Sequence, residues 1–154
     1  MTTPPAIPAT LIIGIGNPSR GDDALGPLLI ERLEALALPD VELLTDFQLQ
    51  VEYALDLQGR DTVIFVDAAV AGPEPYRFEP VAPGRDTSFS SHELSPSALL
   101  HAYEQLYGPS PRAYILAIRG YVFDLGAAPS RQAGLNLDAA MASLLAQVGL
   151  TPRA

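Results

Sequence analysis

Residues 11–27 read Leu11-Ile12-Ile13-Gly14-Ile15-Gly16-Asn17-Pro18-Ser19-Arg20-Gly21-Asp22-Asp23-Ala24-Leu25-Gly26-Pro27. The apolar start predicts a strand that is buried on both faces, as in the centre of a parallel sheet. Glycines then allow a sharp turn, and two acidic residues open the helix predicted to follow it. Ligands of open α/β sheets bind at the carboxyl ends of such strands. Because two carboxylates stand where other α/β domains bind phosphate, this stretch favours a metal or proton-transfer site over a nucleotide site.

The composition of the chain limits the kinds of protein it can be. It has 154 residues, 48% of them hydrophobic, and no cysteine, so disulfides, thiolate catalysis and cysteine-bound metals are excluded. The net charge of −9 argues against a nucleic-acid partner. No apolar stretch is long enough to span a membrane, and the N-terminus does not resemble a signal peptide. We therefore expect a cytoplasmic protein with no membrane partner, a short flexible leader at residues 1–9 and one domain at residues 10–150.

Strand and helix patterns alternate along the chain. The predicted strands are residues 11–15, 41–44, 62–66, 76–81 and 112–118, and the predicted helices are residues 23–37, 51–57, 95–107 and 137–148. This alternation predicts an α/β fold, a three-layer α/β/α sandwich around a mostly parallel (mixed) five-stranded sheet.

Three acidic residues and one histidine are predicted to meet at one edge of this sheet. Asp22 and Asp23 follow the first strand, Asp67 ends the strand at residues 62–66, and His92 precedes the helix that begins at residue 95. Carboxylates and an imidazole with open positions suit a divalent transition metal such as nickel, zinc or iron. Each residue alone also has a structural interpretation, since acids at helix starts are usually caps or dipole partners. The only other histidine, His101, lies within a predicted helix, and we interpret it as structural or solvent-facing.

Two other kinds of site fit the sequence less well. A serine hydrolase could use Ser90 or Ser91 with His92 and Asp67, but no serine stands in a Gly-x-Ser-x-Gly motif. A nucleotide-binding module would use the glycine turn, but the spacing departs from Gly-x-Gly-x-x-Gly and the acids would repel phosphate.

Three separated segments resemble, in order, the hydrogenase maturation proteases, the endopeptidases that trim the C-terminus of the large subunit of nickel–iron hydrogenases. The segments are residues 11–27, residues 63–69 and residues 90–92, and the resemblance extends from about Leu11 to Val148. It implies an aspartic-type endopeptidase whose metal-contacting and catalytic residues are Asp23, Asp67 and His92. It also implies that the nickel is supplied by the substrate, a hydrogenase large-subunit precursor, that no organic cofactor is used, and that the enzyme is a monomer.

Two departures from the family pattern concern the hydrogenase subclass. Ala24 stands where the family commonly has glycine, and Gly134-Leu135-Asn136 stands where members often carry Gly-Leu-Ser.

Two alternatives within related folds stay open at this point. Residues 14–18 also resemble the opening of peptidyl-tRNA hydrolases, but those enzymes need a basic face and an early histidine. Here the first histidine is His92 and the net charge is −9. The second alternative is a degenerate relative that binds a hydrogenase subunit as a chaperone without cleaving it, which only an activity assay separates from a protease.

Overall fold

A single mixed sheet forms the centre of the computed structural model, which describes residues 6–85, 94–147 and 149. Its strands are β1 (Thr10–Ile15), β2 (Val41–Asp46), β3 (Thr62–Ala69), β4 (Tyr76–Pro80) and β5 (Arg112–Arg119). The spatial order is β2-β1-β3-β5-β4. The β1–β2, β1–β3 and β3–β5 pairs are parallel, and β4 runs antiparallel to β5. The prediction of a mostly parallel, mixed five-stranded sheet is therefore confirmed.

Helices α1 (Leu25–Leu36), α2 (Pro96–Tyr107) and α3 (Arg131–Gln147) connect or follow the strands, with short 3-10 helices at Gly21–Ala24 and Val51–Ala54. Helix α2 begins where its sequence predicts, because the Ser95 side chain accepts a hydrogen bond from the Ala98 amide at 3.1 Å and proline suits the first helical position. Helix α1 ends at Ala37, whose φ of 49° is left-handed. Within the described residues, no helix is both long and apolar enough to cross a lipid bilayer.

Two apolar clusters, one on each face of the sheet, make the fold a three-layer sandwich, as predicted. On one face, alternate residues of the strands, such as Ile12 and Ile64, pack against α1 and α3. On the other face, their neighbours Leu11 and Val63 pack against α2 and the 3-10 helix at Val51–Ala54. The alternation follows from the two-residue period of a strand, which directs successive side chains to opposite faces.

Several predicted boundaries differ from the structure, and three of the differences concern the candidate site or the last helix. The acidic turn at Gly21–Ala24 is a 3-10 helix ahead of α1, whereas the α-helix was predicted to begin at Asp23. Helix α3 begins at Arg131 rather than at residue 137, because the Ser130 side chain accepts a hydrogen bond from the Ala133 amide at 3.3 Å. Strand β3 extends to Ala69, because β5 runs beside it as far as Arg119.

The end of the predicted leader is attached to the domain. Arg60 donates a hydrogen bond to the Pro8 carbonyl at 2.9 Å, and the Asp61 amide donates to the Ala9 carbonyl at 2.8 Å. The division into a leader and one domain stays a prediction.

Two glycines allow α1 to lie directly against the sheet. A Cβ atom on Gly26 would stand 2.4 Å from the Ile15 carbonyl oxygen and 2.8 Å from that of Val66. A Cβ atom on Gly14 would stand 2.6 Å from the Gly26 carbonyl oxygen. The obstacles are backbone atoms, so they cannot rotate away. These contacts therefore fix the distance of the start of α1 from β1 and β3. They also fix the position of the acidic turn that precedes α1.

We expect Gly26→Ala to destabilise the protein by about 1–3 kcal/mol, because the added methyl group overpacks a rigid contact. Gly134→Ala is the matched control, since Gly134 lies in α3 and a Cβ atom there would have no other atom within 4 Å, and alanine favours helices by roughly 1 kcal/mol. Urea unfolding of both variants measures the difference. Equal effects of the two substitutions would contradict the close contact.

Candidate active site

The candidate site lies where the strand order of the sheet reverses. The chain leaves β1 through α1 to reach β2 on one side, and β3 lies on the other side of β1. In open α/β sheets, ligands bind in the crevice at the carboxyl ends of the strands at such a point. Asp23 follows β1, and Asp67 lies in β3 one residue beyond the last β1–β3 pair, Gly14 with Val66. The structure therefore places both predicted carboxylates at the same edge, beside the crevice.

Asp23 is held against the glycine turn that follows β1. Its Oδ2 atom accepts a hydrogen bond from the Asn17 amide at 2.7 Å. A Cβ atom on Gly16, whose φ is +146°, would stand 1.9 Å from the Asp23 carbonyl oxygen, so only glycine allows this approach. Asp23 itself is half-buried. Its carboxylate is thus fixed in position and still reaches the surface.

Asp67 is held in a similar way by the strand to which it belongs. Its Oδ1 atom accepts a hydrogen bond from the Ala68 amide at 2.8 Å, and the residue is half-buried. Ionised carboxylates bind cations and accept protons. Asp23 and Asp67 therefore combine fixed orientation with the chemistry that a cation or proton site needs.

Asp22 has a different environment from its neighbour. It is fully buried, and its carboxylate accepts four hydrogen bonds, which come from Tyr121 N at 2.7 Å, Val122 N at 3.0 Å, Ser130 N at 2.6 Å and Ser130 Oγ at 2.7 Å. Burial would raise the pKa of Asp22, but the hydrogen bonds from Ser130, Val122 and Tyr121 together lower it below the ordinary value.

The expectation that the turn presents two carboxylates to a ligand is therefore wrong for Asp22. Its carboxylate points into the protein, and its donors lie about a hundred residues away along the chain. One local signal was available, since Ser130 is a good N-cap residue ahead of a helix. The Tyr121 and Val122 amides carry no sequence signal.

A further acidic residue, Asp46, ends β2 beside the turn that follows β1. Its Oδ2 atom accepts a hydrogen bond from the Tyr53 hydroxyl at 2.7 Å, and its carbonyl accepts one from the Gly16 amide at 2.9 Å. Burial, the hydrogen bond to Asp46 and the charges of Asp46 and Asp56 raise the pKa of Tyr53 to about 12. Sequence reasoning did not single out Asp46, because its partner Tyr53 reaches it from a separate element.

Asp46 lines two neighbouring clefts. One, of about 230 Å³, is lined by Gly16, Pro18, Pro27, Thr45, Asp46 and Phe47. The other, of about 320 Å³, is lined by Asp46, Gln50, Glu52, Tyr53 and Asp56. Phe47 is 61% exposed. The edge beside the acidic turn thus offers both apolar and acidic surface to a ligand.

The far end of the same edge is closed by a polar network. The buried Asn136 of α3 donates hydrogen bonds to the Arg119 carbonyl at 3.0 Å and to the Tyr121 hydroxyl oxygen at 2.9 Å. The Tyr121 hydroxyl in turn donates to Glu74, and the Arg119 guanidinium lies 5.1 Å from the Tyr121 ring centroid. These contacts join the end of β5, the segment before β4 and helix α3.

The third predicted ligand, His92, lies outside the described residues. Among the residues that the structure describes, no three histidine, cysteine, aspartate or glutamate side chains are grouped to hold a metal ion. Asp23 and Asp67 are thus a partial ligand set, and the role of His92 stays a prediction. His101, the other histidine, lies half-buried in α2.

The fold and the acidic edge define an α/β protein whose candidate site lies at the carboxyl ends of its central strands. No protein-family model and no curated protein matches the sequence. Solved structures do match it. A [NiFe] hydrogenase maturation protease, HycI from Thermococcus kodakarensis, is 28% identical, with 92% of each chain covered and a TM-score of 0.72. The hydrogenase maturating endopeptidase HybD from E. coli is 23% identical, with 94% of this chain and 97% of that chain covered and a TM-score of 0.75.

The resemblance to hydrogenase maturation proteases predicted from the three segments is therefore confirmed. The likeness to HybD shows the shared fold, and the likeness to HycI adds sequence identity over nearly the whole chain. The named neighbours are peptide hydrolases, which is the enzyme class that the motifs implied.

We expect Asp22→Asn to destabilise the protein at pH 7 by about 1–3 kcal/mol, because one of the two acceptor oxygens becomes an NH2 group that faces buried donors. The pKa of Asp22 is lowered in the folded state. The Asp22 carboxylate therefore contributes its full stabilisation above the pKa of an unfolded aspartate, about 3.9. This contribution is lost as the pH falls through the lower pKa that Asp22 has in the folded protein. Urea unfolding from pH 7 downwards should show the two proteins converging at acid pH.

The matched control for this prediction is Asp138→Asn. Asp138 forms an exposed ion pair with Arg32, which is worth about 0–1 kcal/mol. A gap between wild type and Asp22→Asn that stays constant down to the most acidic pH would contradict the prediction.

We expect Asp46→Asn to lower the pKa of Tyr53 from about 12 towards its ordinary value of 10.0, because the charge of Asp46 is removed and an amide oxygen is a weaker acceptor than a carboxylate. Tyrosinate absorbance during an alkaline titration measures the change, and Tyr53→Phe identifies which transition belongs to Tyr53. Glu52→Gln is the control, since Glu52 is not among the causes of the shift. An identical change of the Tyr53 pKa in Asp46→Asn and Glu52→Gln would contradict the prediction, because it would show that negative charge in general raises this pKa.

Proposed function

We propose that this protein is an endopeptidase that removes the C-terminal extension of a nickel-loaded [NiFe] hydrogenase large-subunit precursor. The observation that carries the proposal is the position of Asp23 and Asp67, two fixed, half-buried carboxylates beside the crevice at the switch point. The likeness to HycI, a [NiFe] hydrogenase maturation protease, supports this activity.

The proposed substrate contact uses Asp23, Asp67 and His92. In this proposal they contact nickel that the precursor already holds, which suits a set of carboxylates and one imidazole. The Asn17 and Ala68 amides orient the two carboxylates, so no side-chain rearrangement is needed when the substrate arrives. A precursor without nickel would lack the group that these residues recognise, so recognition doubles as a check that the metal is in place.

The chemical step is hydrolysis of one peptide bond by water. A carboxylate within hydrogen-bond reach of the water accepts a proton as the oxygen attacks the carbonyl carbon, and the leaving amine takes up a proton. Asp23 and Asp67 are the candidates for this base, because both are half-buried carboxylates that lie beside the crevice. The clefts beside Asp46, of about 230 and 320 Å³, support binding of side chains that flank the cleaved bond.

The test mixes the purified protein with a hydrogenase large-subunit precursor, either loaded with nickel or empty, and reads the intact mass of the precursor over time. We expect loss of a C-terminal peptide from the loaded form alone. Asp23→Asn and Asp67→Asn should each lower the rate by roughly 10²–10⁴-fold, the usual effect of losing a general acid or base. His92→Ala should lower it comparably if it completes the ligand set.

His101→Gln is the matched control, because it removes the other histidine, which lies in α2. It should retain the wild-type rate. Cleavage of the empty precursor at the same rate would overturn nickel-dependent recognition but not the protease activity. Stable binding of a precursor confirmed to hold nickel, with no cleavage, would identify a chaperone instead.

A further inference from the structure

We propose that Asp22 is a positioning residue for Asp23: its buried carboxylate, bonded to the segment at residues 121–130, fixes the direction in which the Asp23 carboxylate faces the crevice. The catalytic importance of this role rests on the function proposed above. The positioning itself is a property of the turn and can be measured without a substrate.

The first support is the geometry of the turn that contains both residues. Gly21–Ala24 is a 3-10 helix, which has about three residues per turn, so successive side chains point roughly 120° apart. When Asp22 points into the protein, Asp23 must therefore point elsewhere. Its Oδ2 atom meets the Asn17 amide at 2.7 Å. A rotation of the turn about its axis would move both carboxylates together.

The second support is the strength of the attachment at Asp22. Four donors from Tyr121, Val122 and Ser130 converge on one carboxylate, and hydrogen bonds to an ionised group are about twice as strong as neutral ones. The Asp22 amide also donates to the Val122 carbonyl at 2.6 Å. The turn is thus bonded to the opposite segment through both its side chain and its backbone.

The third support is the absence of free space around this attachment. A Cβ atom on Gly120 would stand 2.7 Å from the Asp22 Cβ, and one on Gly21 would stand 2.3 Å from the Val122 carbonyl oxygen. Two glycines therefore let the turn and the chain that follows β5 approach each other closely. With contacts this close, the orientation of the turn follows the position of the segment at residues 121–130.

The test follows the amide proton of Asn17 by NMR, since its chemical shift reports the hydrogen bond to Asp23. Asp22→Asn removes the charge that holds the turn, and Ser130→Ala removes one donor while leaving the carboxylate buried. Leu144→Ala is the matched control, because Leu144 is a fully buried residue of α3 whose loss destabilises the protein without touching the turn. The same four proteins are assayed for precursor cleavage.

We expect the Asn17 signal to move in Asp22→Asn and, by less, in Ser130→Ala, and to stay in place in Leu144→Ala. With a loaded precursor, kcat should fall by up to about 100-fold in Asp22→Asn, the order expected when a reacting group is displaced by about 1 Å. An Asn17 signal that stays in place in both turn variants would overturn the proposal.

Other outcomes separate this proposal from the proposed function. A moved Asn17 signal with an unchanged kcat would overturn the catalytic part, because the orientation of Asp23 would then not matter to the reaction. If the wild-type protein cleaves no precursor, the proposed function fails, and the Asn17 signal still decides whether Asp22 positions Asp23. Should Asp22→Asn fail to fold, Ser130→Ala alone decides the question.

Discussion

The edge of the sheet depends on the hydrogen bonds that stabilise the buried carboxylate of Asp22. Burial of an unpaired charge is strongly unfavourable, and here four donors offset it. Two of them belong to Ser130, which also caps α3. One side chain therefore joins the turn after β1, the segment after β5 and the start of the last helix. The position of each depends on the other two.

Two adjacent aspartates thus have different environments, and the backbone of the turn decides which carboxylate is buried. Asp22 has its acceptors filled by the protein, whereas Asp23 accepts one amide bond and reaches the surface. Glycines make this possible, since Gly16 lets the turn lie against β1 and Gly26 lets α1 lie against β3. The chemistry of the edge therefore depends on positions that carry no side chain at all.

The sheet and the place of the site could be predicted from the sequence, because both depend on local patterns. Apolar runs marked β1 and β3, and acids directly after them marked the edge at Asp23 and Asp67. The role of Asp22 could not be predicted, since two of its three partner residues contribute backbone amides, which every residue has. Helix α3 was predicted to start too late, because Gln132 and Asn136 interrupt the apolar pattern while Asn136 is in fact buried and hydrogen-bonded.

The attachment of Asp22 also orders the events by which the site forms during synthesis. Asp22 and Asp23 leave the ribosome early, but the donors that hold Asp22 lie 99 to 108 residues later in the chain. Domains are synthesised from the N-terminus at about 5–20 residues per second. Ser130 stands directly before the last helix and is hydrogen-bonded to its first turn. The acidic turn therefore waits for nearly the whole chain to emerge. A nascent or truncated chain carries both aspartates, yet it lacks the four donors that hold the Asp22 carboxylate.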